Sequence, residues 1–194
     1  MYKTLIRPVL FKFNPEVAHN LTLNGLKVLR RIPFARNIVR LIYKREHPNL
    51  EREVFGIKFP NPVGLAGGLD KNGEVYNELS DFGFGFVEIG SLTAKPQPGN
   101  PKPRLFRVVK DKAIINRRGI NNHGVTQAIR NINSNHPRVI IAGNIAPNSS
   151  SQGEQVTEDY KTAFSLLYDF VDMFVINISC PNVVGLTSLQ EVSS

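Results

Sequence analysis

The stretch Val-Gly-Leu-Ala-Gly-Gly-Leu-Asp-Lys at residues 63–71 joins a short apolar run to a polar loop that is rich in glycine. A Pro-Asn-Pro turn precedes residues 63–66, and a short apolar run with such a boundary is typical of a buried strand. The glycines after it let the backbone approach a flat ligand closely. The stretch therefore predicts a buried strand with a ligand-binding loop at its carboxyl end.

Three more apolar runs lead into small or amide residues in the same way. Strands are predicted at residues 86–89, 139–142 and 173–176. The residues directly after them are Gly90-Ser91, Gly143-Asn144 and Asn177. Helices are predicted at 74–82, 125–132 and 158–170, a further strand at 54–59, and a hairpin at 105–109 and 113–115. Strands that alternate with helices form a parallel sheet, whose sites lie at the carboxyl ends of the strands. We therefore expect an α/β fold in which these loops form the mouth of a ligand-binding barrel.

The basic charge of the chain is concentrated in its first 45 residues. The whole chain has a net charge of +8, but residues 1–45 hold ten Lys or Arg against the single acid Glu16, a net charge of +9. The remainder is close to neutral, at −1. This shift, together with Pro48, predicts a domain of residues 1–47 followed by one of residues 48–194.

The basic domain is predicted to contain two short helices. One begins at Pro15 with Asn14 as N-cap, and the other covers residues 34–42. The first has an apolar stripe of Ala18, Leu21, Gly25, Val28, Leu29 and Ile32. Amphipathic helices with basic flanks are typical of an element that lies on an anionic membrane surface. The alternative is a helical pair that docks on the main domain with solvated cations. We expect no nucleic-acid partner, since no binding motif is found and the rest of the chain has no basic surplus.

Composition excludes several other classes. With 41% hydrophobic and 21% charged residues, the chain has the composition of a folded domain. Its one cysteine, Cys180, cannot form an internal disulfide, which favours a reducing compartment. No apolar run approaches the ~18 residues that a membrane span requires. No metal site is predicted.

Four motifs, taken together, resemble the dihydroorotate dehydrogenases. They are GLAGGLDKNGE at 64–74, FGFGFVEIGSLTAKPQPGNPKPRLFR at 82–107, INRRGINNHG at 115–124 and INISCPN at 176–182. The basic N-terminus and GLTSLQ at 185–190 resemble the quinone-dependent class. The resemblance implies an FMN-containing (β/α)₈ TIM barrel that oxidises dihydroorotate to orotate in pyrimidine biosynthesis. It also implies a membrane quinone as electron acceptor and a peripheral position on the cytoplasmic face of the cell membrane.

The resemblance assigns roles to individual residues. Those implied to contact FMN are Ala66, Gly67, Gly68, Lys71, Ser91, Asn116, Asn144 and Asn177. Those implied to bind the substrate are Lys71, Asn116, Arg117, Arg118, Gly119, Ile120, Asn177 and Asn182. Cys180 is the implied catalytic base, and His19 and Arg107 match the quinone pocket.

Three residues depart from the pattern of the quinone-dependent class. Cys180 stands where that class usually has serine, and cysteine is typical of the soluble class. Arg118 stands where a bulky apolar residue is usual, and Ile120 where phenylalanine is usual. Two alternatives therefore stay open: a soluble-class enzyme that uses fumarate or NAD, and a non-catalytic polypeptide that associates with membranes through its basic arm.

Length gives a further expectation. A full barrel needs roughly 250 residues and eight strands, whereas about 145 residues and four predicted strands follow the basic domain. We therefore expect these residues to form about the first half of a barrel within a longer protein. A half barrel exposes its last strand as a sheet edge, so the 194 residues alone are expected to be inactive.

Overall fold

The N-terminal part of the chain is helical in the computed structural model, which describes residues 2–183. The GLTSLQ motif at 185–190 lies outside the described residues. The helices are α1 at Arg7–Phe11, α2 at Pro15–Leu29 and α3 at Ala35–Tyr43, after a π-helical turn at Tyr2–Ile6. As predicted, α2 begins at Pro15, and the side chain of Asn14 accepts a hydrogen bond of 2.9 Å from the backbone N–H of Glu16.

The face that α2 buries differs from the predicted apolar stripe. Ala18 and Leu26 are buried, but Leu21, Val28 and Ile32 are largely exposed. The stripe was therefore only partly right, since the buried side also carries Glu16, which pairs with Arg104 in the protein interior. Helix α3 lies where it was predicted and buries none of its residues.

A β-hairpin stands where a single strand was predicted at residues 54–59. Its strands are β1 at Arg52–Val54 and β2 at Ile57–Phe59, which pair antiparallel. Phe55 and Gly56 connect them with φ angles of +52° and +78°. A two-residue turn with both φ angles positive closes a tight hairpin. The sequence analysis missed it because the phenylalanine gives no sign of a turn.

Four parallel strands form the central sheet and confirm the predicted α/β fold. They are β3 at Gly64–Leu65, β4 at Phe86–Leu92, β7 at Ile140–Ile145 and β8 at Met173–Ile176, in that order across the sheet. The helices between them are α4 at Tyr76–Ser80, α5 at Val125–Ser134 and α6 at Glu154–Leu167. The predicted hairpin is also present, with β5 at Leu105–Val108 and β6 at Ala113–Asn116. Because the strands are adjacent in chain order, the sheet matches part of a (β/α)₈ barrel.

The core lies between the two central strands and the helices. Fully buried strand residues are Val87, Ile89, Leu92, Ile141 and Ile145. They pack in one cluster with apolar residues of α4, α5 and α6, and Leu26 brings α2 into the same cluster. Within residues 2–183, β3 and β8 each pair with one neighbour and form the edges of this sheet. No helix in the described part of the chain is long and apolar enough to cross a membrane.

Candidate functional site

Backbone and side-chain hydrogen bonds join the loops that follow the parallel strands. After β3, the N–H of Gly68 donates to the carbonyl of Gly90 at 2.8 Å, and the N–H of Gly90 donates to the carbonyl of Asp70 at 3.1 Å. After β8, the side-chain amide of Asn177 donates to the hydroxyl of Ser91 at 2.8 Å. Gly90 and Ser91 were predicted to follow their strand, but they lie within the last residues of β4 because this strand extends to Leu92. The loops after β3 and β8 and the end of β4 therefore form one continuous surface at the carboxyl edge of the sheet.

Asn144, near the end of β7, has a buried amide oxygen without a hydrogen-bond partner among the described residues. Its Nδ2 donates to Oε1 of Glu88 at 2.5 Å. A Cβ on Gly67 would lie 2.5 Å from that same Glu88 oxygen, so a larger residue there would displace the Glu88 carboxylate. A Cβ on Gly68 would meet nothing within 4 Å. Open space beside glycine and an unused amide acceptor suit a flat heteroaromatic group, and the residues therefore fit a flavin.

Lys71 carries the positive charge of this surface. Burial and then the positive charge of Arg118 lower the pKa of Lys71 to about 8, while Cys180 acts in the opposite direction. The three side chains therefore lie within electrostatic reach of one another. An ammonium group in such surroundings attracts a planar anion strongly, because little water screens it.

The loop after β6 is fastened to the loop after β8. Nδ2 of Asn182 donates to the carbonyl of Asn116 at 3.1 Å. Nδ2 of Asn100 donates to the carbonyls of Arg117 and Asn182, at 3.0 and 3.1 Å. The structure thus brings together two segments that were assigned to substrate binding. The sequence analysis missed Asn100 as their link, although it lies within the motif at 82–107.

Cys180 lies in a loop whose position is fixed by Asn177. The carbonyl of Asn177 accepts from the hydroxyl of Tyr160 at 2.6 Å, and its Oδ1 accepts from the N–H of Ser179 at 3.2 Å. Cys180 itself is partly buried and packs against a small cluster of Ile120, Ala146 and Val183. The thiol is therefore held at the carboxyl edge of the sheet, against this apolar cluster and within electrostatic reach of Lys71.

Arg118 points from the same loop toward helix α2. Its backbone N–H donates to Oδ1 of Asn116 at 3.1 Å, but its guanidinium lies beside Glu16, with Nη2 4.0 Å from Oε1. Glu16 also pairs with Arg104 at 2.7 Å in the protein interior. The hydrogen bond from Arg104 is the main reason that the pKa of Glu16 is lowered. The sequence analysis missed this buried ion pair, since residues 16 and 104 are far apart in the chain.

The two residues assigned to a quinone pocket occupy different places. His19 lines a cavity with Lys71 and Arg118. Burial, and then these two cations, lower the pKa of His19 to about 4, so its imidazole is neutral at pH 7. Arg107 does not line this cavity: it donates to the carbonyls of Phe13 and Leu10, at 2.6 and 3.2 Å. It therefore fastens the connection between α1 and α2 to the β5–β6 hairpin.

Comparison with known proteins agrees with this architecture. The family model for dihydroorotate dehydrogenase matches residues 49–194. A "dihydroorotate dehydrogenase (quinone)" from Christiangramia forsetii is 51% identical over 98% of this chain and 56% of its own length. One of the same name from Methylococcus capsulatus is 42% identical over 98% of this chain and 54% of its own.

A solved structure is similar over most of the chain. The DHODH of Eimeria tenella in complex with ferulenol has a TM-score of 0.78 and 36% identity, covering 91% of this chain and 47% of that one. The chain thus spans about half the length of the curated relatives it matches. With a family model over residues 49–194 and a fold that agrees with it, the chain belongs to the dihydroorotate dehydrogenase family.

Proposed function

We propose that the protein containing this chain oxidises dihydroorotate to orotate with bound FMN and passes the electrons to a membrane quinone, as a step of pyrimidine biosynthesis. The observation that carries this proposal is the continuous surface at the carboxyl edge of the sheet. There Asn144, Asn177, Ser91 and the glycines after β3 lie together, and Lys71 follows those glycines in the same loop. The names of the similar proteins support the same reaction and the quinone.

FMN, when bound, accepts the hydride that leaves the substrate. The residues proposed to hold it are Ala66, Gly67, Gly68, Lys71, Ser91, Asn116, Asn144 and Asn177. Gly67 and Gly68 allow the isoalloxazine ring to approach the backbone, and the unpaired Oδ1 of Asn144 can accept from an N–H of the ring edge. Lys71 would contribute a positive charge to the flavin site, which would favour the reduced form of the cofactor.

The product orotate is a planar carboxylate with amide-like edges, and dihydroorotate has the same carboxylate and amide-like edges on a ring with two tetrahedral carbons. Asparagine side chains provide both donors and acceptors for such edges, and an ammonium group balances the carboxylate. Asn116, Asn177 and Asn182 are proposed to orient the ring, and Lys71 to neutralise its charge. The hydrogen bonds that Asn100 makes to the loops of Asn116 and Asn182 keep these amides in place before the substrate arrives.

Cys180 is proposed as the base. One carbon of dihydroorotate loses a proton while the adjacent carbon loses a hydride, and the C–H electron pair left behind becomes the C=C bond of orotate. The thiolate of Cys180 takes the proton and becomes a thiol. Only the thiolate form of a cysteine can take this proton.

The N-terminal helices are proposed to lie on an anionic membrane surface at its cytoplasmic face, where quinone meets the flavin. Residues 1–45 carry the net charge of +9, and many of their large apolar side chains are exposed. Helix α3 buries no residue, and α2 leaves Leu21 and Val28 exposed. His19 and Arg107 are proposed to lie along the quinone path.

The electron acceptor provides the deciding experiment. The flavin of the purified, FMN-containing protein should bleach when dihydroorotate is added and regain its colour with a short-chain quinone. Fumarate and NAD are the matched controls. Cys180, a residue typical of the soluble class, favours a second candidate that uses one of these two acceptors. Reoxidation by fumarate or NAD but not by quinone would replace the quinone proposal, and a colourless protein would overturn both.

A further inference from the structure

The loop that carries Cys180, residues 177–182, begins at an edge of the sheet. Strand β8 pairs with β7, and no strand in residues 2–183 lies on its other side. The N–H of Asn177 still donates to the carbonyl of Ile145 on β7, at 2.9 Å. Ile178, the next residue, is 39% exposed. The chain thus leaves the sheet at Asn177, and side-chain contacts fix the residues that follow.

Tyr160 of helix α6 makes the first of these contacts. Its hydroxyl donates to the carbonyl of Asn177 at 2.6 Å. Within the described residues, no other side chain from outside the loop donates to the loop backbone before Asn182. There the side-chain amide of Asn100 donates to the carbonyl at 3.1 Å. The loop is therefore held at both ends, and Cys180 lies between the two contacts.

The hydroxyl of Tyr160 is a donor in a fixed position. The residue is half-buried, and its ring packs against the main apolar cluster. Two other residues of α6, Ala163 and Leu167, are fully buried in that cluster. Burial raises the pKa of Tyr160 to about 12, so the phenol stays protonated and can donate well above neutral pH. A donor on a helix that is packed in the core gives the carbonyl a rigid partner.

Loss of this hydrogen bond would loosen the thiol more than the side chain of Asn177. The side-chain amide of Asn177 donates to Ser91 at 2.8 Å and does not depend on Tyr160. The carbonyl of Asn177, by contrast, has the Tyr160 hydroxyl as its one hydrogen-bond partner among residues 2–183. That carbonyl belongs to the peptide that leads to Cys180, three residues later. The geometry therefore connects the tyrosine hydroxyl to the position of the thiol.

We propose that Tyr160 is a positioning residue: through the carbonyl of Asn177, it holds the thiol of Cys180 where that thiol can take the proton. This role rests on the function proposed above, in which Cys180 is the base. Tyr160→Phe removes the hydroxyl and keeps the ring. It should slow flavin reduction at saturating dihydroorotate about tenfold to a hundredfold, the loss expected when a catalytic group is displaced by about 1 Å. The affinity for orotate, measured by flavin absorbance, should change less than about twofold, because the side chains proposed to bind it stay in place.

A double-mutant cycle with Cys180→Ala shows whether the hydroxyl acts through the thiol. In the Cys180→Ala background, Tyr160→Phe should slow flavin reduction less than about twofold, because groups that act as a unit are not additive. Tyr168→Phe is the matched control and should keep the parent rate. Tyr168 directly follows α6, is 61% exposed and donates no hydrogen bond within the described residues. Equal slowing by Tyr160→Phe in both backgrounds overturns the proposal, and so does equal slowing by the control.

Alkylation of the thiol gives a readout without turnover. The rate at which iodoacetamide modifies Cys180 in the FMN-containing protein is followed by mass spectrometry of the peptide that contains this residue. Tyr160→Phe should raise the rate about fivefold, the size of one lost hydrogen bond, because a loosened loop exposes the half-buried thiol. An unchanged rate overturns the proposal. Flavin reduction by Cys180→Ala at the parent rate would instead overturn the role of Cys180 as base, and the alkylation rate would then decide whether Tyr160 fixes the thiol.

Discussion

At the scale of single residues, the site combines groups whose charge depends on burial. Lys71 is enclosed by the loops after β3 and faces Arg118. Burial, and then the nearby positive charge of Arg118, destabilise the protonated form of Lys71. A bound anion stabilises the protonated form again. Lys71 is therefore suited to bind a carboxylate and to give up its charge when the site is empty and the solution is mildly alkaline.

The affinity for orotate should therefore fall as the pH rises through about 8, the pKa of Lys71 in the free site. Below this pH the ammonium is present and binds the carboxylate; above it the lysine is neutral and the attraction is lost. Titration of the flavin absorbance with orotate between about pH 6 and 10 measures the effect. Lys71→Met is the control: it should bind orotate weakly without this pH step. An affinity that stays constant to pH 10 would show that Lys71 does not bind the carboxylate.

Replacement of Cys180 tests the base directly. Cys180→Ala should slow flavin reduction by dihydroorotate about 10²–10⁴-fold, the usual loss when a positioned base is removed. Cys180→Ser should keep part of the activity with a pH optimum shifted upward, because a hydroxyl is harder to deprotonate. Stopped-flow bleaching of the flavin against pH compares the three proteins. An alanine variant that is reduced at the parent rate would mean that another group takes the proton.

At the scale of secondary-structure elements, ion pairs fasten the N-terminal helices to the sheet domain. Helix α3 buries no residue, yet Arg36 and Arg40 both donate to the carboxylate of Asp81, which directly follows α4. Arg36 also donates to the carbonyl of Asn77 at 3.1 Å. Helix α2 is fastened by Glu16 and Arg104. Polar contacts, more than apolar packing, thus hold α3 in place.

Asp81→Asn should destabilise the protein by about 2–4 kcal/mol, since it leaves two guanidinium groups without their shared carboxylate. The side chain of Asp81 is 1% exposed, so water cannot easily replace it. Urea unfolding followed by circular dichroism gives the difference in the free energy of unfolding. Asp169→Asn is the matched control: Asp169 is exposed, so the change should stay within about 0.5 kcal/mol. Equal effects of the two substitutions would contradict the role of Asp81.

At the scale of the whole molecule, charge and apolar exposure are distributed unevenly. Residues 1–45 carry +9 and the remainder −1, and the helical segment also exposes large apolar side chains. Phe34 is 78% exposed and Leu41 is 80% exposed, both in or beside α3. A surface that is both basic and apolar binds anionic lipid in two ways: its cations attract the anionic headgroups, and its apolar side chains are buried among the lipids.

Phe34→Glu combined with Leu41→Glu should weaken binding to phosphatidylglycerol vesicles at least about tenfold, since each apolar side chain contributes roughly 1.5–3 kcal/mol when buried. Flavin binding should be retained, because neither side chain is buried. Sedimentation with vesicles measures the bound fraction. Phe55→Glu, at a residue 99% exposed in the β1–β2 turn, is the control on another surface. Equal losses for the control and the double variant would rule out α3 as the lipid-binding element.

The sequence by itself determined the repeating pattern of the sheet domain. Apolar runs followed by Gly90-Ser91, Gly143-Asn144 and Asn177 predicted the parallel strands, although Gly90-Ser91 and Gly143-Asn144 lie within the ends of β4 and β7 and not in the loops after them. Asn14 and Pro15 predicted the start of α2. Such features are local, because helix capping, hydrophobic periodicity and turn formation each depend on a few consecutive residues.

Tertiary structure alone decided the contacts between distant segments. The pairing of Glu16 with Arg104, the link that Asn100 makes to Asn182, and the burial of Arg118 beneath α2 join residues far apart in the chain. The inward face of α2 also includes Glu16, which the apolar stripe did not predict. No local pattern encodes these contacts, because burial and charge pairing are properties of the packed molecule. They determine which of the polar residues in the motifs share a site.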